Sequence, residues 1–337
     1  MDSVGTAGIV ALLISALLAP FIYKMLLKTN SRQKVSQHVP EHAAKQGTPT
    51  MGGFIILVGL FVGIGVDAVM RGGLSKQAIS IAILAISFGL VGYLDDYVLP
   101  KMKAESRGFN WMPKLALQIG SVLIVCFVSG MNNWIAMALA AFVVLFFSNA
   151  YNFSDGLDGL AGGIGMILAA TFFLMGIDAR LDSFQPYMIA LLAGFVPFLF
   201  LNAPPARVFM GDVGALPIGA VFGWVTFSHL STLMTVKARN DMNQIVDVLN
   251  PDLTKILVVF FLIVLLMLLE IVPVPLQVAS AKLRKGKRLF PFRTPIHHGF
   301  QHNGWPETRV VYMFHLFQFV CSAVALYLFF FMGFGSR

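Results

Sequence analysis

SNAYNFSDGLDGLAGG, residues 148–163, lies between two long apolar runs and sets Asp155 and Asp158 three positions apart among glycines. The flanking runs decide the fold, because each is long enough for the helix of about 17 to 25 residues that crosses a bilayer core. Working outward, eight further stretches of this kind give ten spans, centred near residues 16, 61, 86, 122, 141, 168, 195, 223, 265 and 322. Composition agrees: 57% of the 337 residues are hydrophobic and 12% charged, against roughly half and a quarter in soluble domains. The expected fold is an all-α integral membrane protein with about ten transmembrane helices, one transmembrane domain over 1–337 with no soluble domain left over.

Asp2 precedes the first span, and neither a basic n-region nor a small-residue cleavage site accompanies it. That span is expected to stay as a helix rather than be removed as a signal peptide. Cys126 and Cys321 both fall inside spans, where a thiol packs as a small apolar group. The pI near 9.6 raises the question of nucleic acid, but no basic face with base-reading or stacking residues accompanies it, so no nucleic-acid partner is expected.

The basic residues instead report topology. If the ten spans alternate, the loops after the odd-numbered spans hold 17 of the 24 Lys and Arg, led by the run Lys282, Arg284, Lys285, Lys287 and Arg288. Positive loops stay inside, which puts these loops in the cytoplasm and both termini outside. The polar, glycine-rich clusters GTPTMGG (47–53), LDDY (94–97), SRGFNWMPK (106–114), SNAYNFSDGLDG (148–159), NAPPARVFMGDVG (202–214) and TPIHHGFQHNGWPE (294–307) all fall on that same side. Scattered loops thus converge on one cytoplasm-facing polar site. The external segment 233–254 lacks such clustering and is given a connecting role with a short surface helix.

Asp95 and Asp96 close the third span, about 100° apart on a helix, so one is free for a ligand while the other is held by a base or a backbone group. Asp155 and Asp158, at i and i+3, share a face with Asn149 and Asn152 if the sixth span starts there, and can hold a cation's water shell or a substrate's polar groups; helix capping is the plainer alternative. Asp212, between Gly211 and Gly214, is open to close approach, and a carboxylate at a membrane edge is a functional candidate by default. Paired with Asp95 or Asp96 it matches the habit of Mg²⁺, which takes one or two carboxylates plus phosphate oxygens. Thr48 and Pro49 read as an N-cap and first helical residue. Lys45, Arg107 and Lys114 are candidates to neutralise phosphate, Phe209 to stack on a flat ring, and His297 and His298 to hold a pyrophosphate or move a proton. His229 and His315 are read as packing residues. Glu270, deep in the ninth span, is expected to be paired to a neighbouring helix.

KQGTPTMGG (45–53), GYLDDY (92–97), NAYNFSDGLDGLAGG (149–163), NAPPARVFMGDVG (202–214) and PIHHGFQHNGWPE (295–307), in this order and over nearly the whole chain, resemble the phospho-N-acetylmuramoyl-pentapeptide transferase family. The resemblance implies ten transmembrane helices, a cytoplasmic active site in the bacterial inner membrane, Mg²⁺ as cofactor, and transfer of phospho-N-acetylmuramoyl-pentapeptide from UDP to undecaprenyl phosphate. UMP leaves and lipid I stays in the membrane, a step of peptidoglycan synthesis that serves cell shape and division. By the same resemblance Asp95, Asp96, Asp212 and His297 are catalytic. Lys45, Thr50, Asn152, Asp155, Asp158, Asn202 and Phe209 match nucleotide contacts, Lys114 a basic position near the phosphates and Asp212 a metal ligand, while the residues themselves add His298 as a substrate contact and Asp155 as a metal ligand. Partners implied are the UDP-linked donor, undecaprenyl phosphate, membrane lipid and a second copy of the chain. The family's three-histidine run followed by an aromatic residue and Glu reads here His297, His298, Gly299, Phe300, Gln301. Phe153, Ser154, Pro273 and Pro275 are further departures. A sister enzyme that transfers N-acetylglucosamine 1-phosphate is the nearest alternative, and an ion-coupled transporter a more distant one.

Overall fold

A computed structural model describes residues 3–29, 47–102, 111–239, 245–284 and 286–331, with backbone only at 100, 236–239 and 245–247. Ten long helices match the ten apolar stretches: α1 (Ser3–Lys28), α2 (Gly53–Arg71), α3 (Lys76–Tyr93), α5 (Trp111–Val128), α6 (Trp134–Ser154), α7 (Leu160–Met175), α8 (Gln185–Asn202), α9 (Asp212–Met234), α10 (Leu253–Ile271) and α13 (Glu307–Phe331). Three shorter helices, α4 (Leu99–Met102), α11 (Pro273–Leu283) and α12 (Ile296–His302), lie at one end of the bundle. Among the described residues nine helices are long and apolar enough to cross a membrane. The tenth, α7, has 16 residues, about 24 Å at 1.5 Å per residue, because the glycine-rich DGLDG stretch that precedes it stays outside the helix.

Lipid-facing and core-facing surfaces are separated by side-chain size. On α1 the buried positions Ala7, Ala11, Ser15 and Ala19 recur every four residues, while Leu13, Leu17 and Phe21 are 64%, 77% and 67% exposed. Large apolar side chains on the outside of a helix bundle are what a hydrocarbon solvent allows, and small residues at the contact let backbones approach. The same rule sets the centre of the fold. Helix α9 packs on α6, α3, α2, α10 and α7 and is buried along nearly its whole length. Gly219 and Gly223 let it lie against α6 so closely that a Cβ at either would sit 2.7 Å from the backbone of Phe147 or Val144, and Ser148 Oγ donates to the Leu216 carbonyl at 3.0 Å across that contact.

The segment after α9 is a correction to the expected surface helix. It forms an antiparallel hairpin, β1 (Thr235–Arg239) with β2 (Ile245–Leu249), in register from Thr235↔Leu249 to Arg239↔Ile245. TVKAR and IVDVL are rich in β-branched residues, which favour strands, and Asn250 closes the hairpin by donating from its backbone to Met234 O and from its side chain to Leu233 O. At this end of the bundle Asp67 is fully buried, held by Arg71 Nε at 2.7 Å and by the Tyr187 hydroxyl at 2.8 Å. At the opposite end the polar loops meet.

Candidate active site

Asp212 opens α9 immediately behind Gly211, whose φ of +72° is a backbone conformation that favours glycine. A Cβ at Gly211 would also press on Thr50 Oγ1, Asp96 Oδ2 and the Met51 backbone N. Asp212 lies in the first turn of α9, where the helix dipole favours negative charge. Its Oδ1 accepts from Asn152 Nδ2 of α6 at 2.7 Å, and its Oδ2 accepts from Lys114 Nζ of α5 at 2.5 Å. The same ammonium donates to Asp95 Oδ2 at 2.7 Å. One cation therefore bridges a carboxylate at the end of α3 and one at the start of α9.

Past Tyr93, α3 loosens into a π-helical turn, Leu94–Val98, that carries Asp95 and Asp96; such turns recur at functional sites. The two carboxylates diverge as the spacing suggests. Asp95 turns to Lys114, while Asp96 Oδ2 accepts from the Val213 N–H at 3.2 Å. That N–H belongs to the first turn of α9, which cannot satisfy it internally. Asp96 thus caps α9 from a different helix and faces the charges of Asp212, Asp95 and Asp155.

Asp155 and Asp158 do not share a helix face, contrary to the i, i+3 reading. α6 ends at Ser154 and α7 begins at Leu160, so both residues lie in the linker, where glycine disfavours helix. Neither caps α7: its N-cap is Gly159, with no side-chain bond. Instead Asp155 Oδ2 accepts from the Gly211 N–H at 3.0 Å and Asp158 Oδ2 from the Ala206 N–H at 2.9 Å, so both hold the loop that leads into Asp212. The Asp158 N–H in turn donates to Glu307 Oε1 of α13 at 2.8 Å. Asn149, grouped with Asn152 by spacing, leaves the site and donates to Leu145 O and Gln118.

Thr48 and Pro49 do not start a helix either. The segment runs extended, with the Phe209 N–H donating to Pro49 O at 2.9 Å and Gly52 and Gly53 N–H donating to Phe209 O and Met210 O; α2 begins only at Gly53. Backbone pairing, rather than proline at a first turn, governs 49–53. It fixes the Phe209 backbone on both sides, leaves its ring half-buried, and buries Thr50 beside Gly211. Asn202 is buried at the end of α8, accepting from Gly159 N–H and donating to Val208 O, so its amide spans the two loops. Lys45, Arg107 and Lys285 lie outside the described residues.

His297 opens α12 fully buried, its Nδ1 2.6 Å from Glu270 Oε2 at the end of α10. His298 Nδ1 lies 3.2 Å from Gln301 Oε1. His229 and His315 are packing residues as read: His229 sits between the rings of Phe172 and Phe184, and His315 Nε2 lies 3.1 Å from Leu160 O. Sequence reasoning left Glu307 unremarked and did not join Glu270 to His297. The expense of a lone carboxylate in hydrocarbon was the available signal for the second pair.

The donor set suits a hard divalent cation in kind. Asp95, Asp96, Asp155 and Asp212 bring carboxylate oxygens to one end of the bundle, opposed there by Lys114. Among the described residues no three acidic, histidine or cysteine side chains form a ready metal cage. An ion such as Mg²⁺ needs none, since it takes one or two carboxylates and completes its shell with water and phosphate oxygens.

Residues 78–230, from α3 through most of α9, match glycosyl transferase family 4, and residues 45–57 match a phospho-N-acetylmuramoyl-pentapeptide-transferase signature. Among curated relatives, the phospho-N-acetylmuramoyl-pentapeptide-transferase of Staphylococcus epidermidis is 32% identical over 347 aligned positions, covering 95% of this chain and 98% of its own. Those of Desulforapulum autotrophicum and Staphylococcus aureus are each 30% identical, covering 95% of this chain and 90% and 98% of their own. With that likeness running across almost the whole of both sequences, the chain belongs to the phospho-N-acetylmuramoyl-pentapeptide-transferase family.

Proposed function

We propose that this chain transfers phospho-N-acetylmuramoyl-pentapeptide from its UDP conjugate to undecaprenyl phosphate, releasing UMP and leaving lipid I in the membrane, with Mg²⁺ as cofactor. The observation that carries the reading is the meeting of Asp95, Asp96, Asp155 and Asp212 with Lys114 and Asn152 at one end of an apolar bundle. A soluble nucleotide reaches that end from water, and a prenyl phosphate reaches it from the bilayer. The excess of Lys and Arg in the loops there supports reading it as the cytoplasmic end.

The acceptor is a phosphate monoester with a second pKa near 6 and is mostly ionised at neutral pH. Phosphoryl transfer of this kind needs positioning and charge stabilisation more than proton removal. Asp212 and Asp155 would hold the metal. When bound, it supplies Lewis-acid neutralisation of the donor diphosphate as UMP departs. Lys114 brings a second positive charge against the reacting phosphates, held in place by Asp95 and Asp212. Asn152 fixes the Asp212 carboxylate plane, and Asp96, by capping α9, fixes the helix end that carries it. Asp155 and Asp158 hold the 206–211 loop, whose Phe209 would stack on uracil.

The test is UMP formation by purified protein in detergent, with undecaprenyl phosphate and each donor supplied separately. UMP from UDP-N-acetylmuramoyl-pentapeptide, lost on chelation and restored by Mg²⁺, is the expected result. Turnover of UDP-N-acetylglucosamine alone would transfer the chain to the sister activity, and UMP formation indifferent to chelation would remove the metal.

A further inference from the structure

Glu270 and His297 form a pair that is wholly buried, at 0% exposure for both side chains. Both carboxylate oxygens are directed at the same residue: Oε2 lies 2.6 Å from Nδ1, and Oε1 accepts from the His297 backbone N–H at 3.3 Å. The ring is fixed further by His298, 4.2 Å away between centroids, and by the edge-to-face ring of Phe314. With Nδ1 held, the other ring nitrogen has one direction left. Nε2 has no hydrogen-bond partner among the described residues, and it presses on Gly156, where a Cβ would collide with it. Gly156 lies between Asp155 and Asp158, the two residues that hold the loop into Asp212.

A buried polar atom without a partner is uncommon and calls for a reason. A histidine whose one nitrogen is bound by a carboxylate presents a defined hydrogen-bonding state at the other. We propose that Glu270 is a positioning residue: it sets the tautomer and orientation of His297 so that Nε2 is presented to the 155–158 linker, where it serves a polar group of the bound donor. The carboxylate assisting this histidine therefore comes from α10, 27 residues upstream, and not from position 301, where Gln301 binds His298. The inference rests on the transferase reading above, and it assigns Glu270 no contact with substrate.

The experiment is a double-mutant cycle on UMP release, with Glu270→Gln as the variant that preserves shape. Glu270→Gln is expected to lower kcat about tenfold or more, the scale seen when outer partners of functional histidines are removed, with KM for both substrates changed less than about twofold. In the His297→Ala background the same substitution is expected to add no further loss, because a residue that acts only through another has nothing left to act on. Multiplicative losses, or wild-type turnover in Glu270→Gln, would overturn the proposal while leaving the transferase reading intact. Side-chain ¹⁵N spectra of His297 supply a readout independent of turnover: Nδ1 carries the proton in wild type and loses that preference in Glu270→Gln. An unchanged spectrum overturns the positioning role even if wild-type protein released no UMP, an outcome that would itself refute the transferase reading.

Discussion

Lys114 Nζ lies 2.5 Å from Asp212 Oδ2, joining the start of α5 to the start of α9 through an ion pair whose two side chains are only 18% and 23% exposed. Removing either partner leaves the other charge poorly solvated, so both substitutions act on the site rather than on one contact. Asp212→Ala is expected to abolish UMP release even with both substrates saturating, while the protein still purifies as a folded species. Lys114→Ala is expected to lower kcat about a hundredfold, the usual scale for losing one electrostatic stabiliser. Normal turnover in either variant would refute the role given to it.

Asp96 and Asp95 separate in a different way, since Asp96 caps α9 through Val213 and Asp95 holds Lys114. Asp96→Asn keeps an acceptor for the Val213 N–H and is expected to unfold within a few degrees of wild type. Asp96→Ala removes the cap and is expected to lose about 0.5 to 2 kcal/mol. Thermal unfolding in detergent distinguishes them; equal stability of the two variants would show that the cap contributes nothing.

The ten apolar runs were legible because hydrocarbon demands length and composition, and both are written directly in sequence. The acidic residues were legible for the same reason, since Asp95, Asp212 and Glu270 stand out against an apolar background. The linker 155–159 and the 49–53 segment depart from local spacing rules because the partners of their residues lie far along the chain. Asp155 answers to Gly211 and Pro49 to Phe209, and neither separation leaves a periodic trace. The hairpin at 235–249 had the β-branched composition of strands, but its pairing is also a contact between separate segments.

Gly211 carries two constraints at once, a positive φ and a position enclosed by Thr50, Asp96 and Met51. Gly211→Ala pays the left-handed penalty of about 1 to 2 kcal/mol and also pushes Asp96 off Val213. Activity is expected to fall further than stability, because the displaced residues flank Asp212. Measuring kcat beside the unfolding midpoint checks this, and a variant with full activity would show that the enclosure is looser than the packing indicates.

At the far end, Tyr187 donates to Asp67 and shares a hydrogen bond with Ser75, linking α8 to α2 well away from the carboxylate site. Tyr187→Phe leaves Asp67 with Arg71 alone, at an expected loss of about 1 to 3 kcal/mol for the buried acceptor. UMP release at a temperature where the variant is fully folded is expected to match wild type. A drop in kcat under those conditions would mean that the two ends of the bundle are coupled.

Orientation is the remaining test, and it follows from charge alone. The last turn of α11 and the segment after it carry Lys282, Arg284, Lys287 and Arg288, whereas the opposite end carries the β1–β2 hairpin. Positive loops are retained in the cytoplasm, so the hairpin is expected to face outward and the carboxylates inward. Cys126 and Cys321 are both buried, and replacing each with Ala gives a background for single reporters. In intact cells a membrane-impermeant thiol reagent is expected to label Leu249→Cys, exposed at the end of β2, and to spare His302→Cys at the end of α12 until the membrane is opened. The reverse pattern would place Asp212 on the side without UDP-sugars, and a cytoplasmic transferase could not then operate from this site.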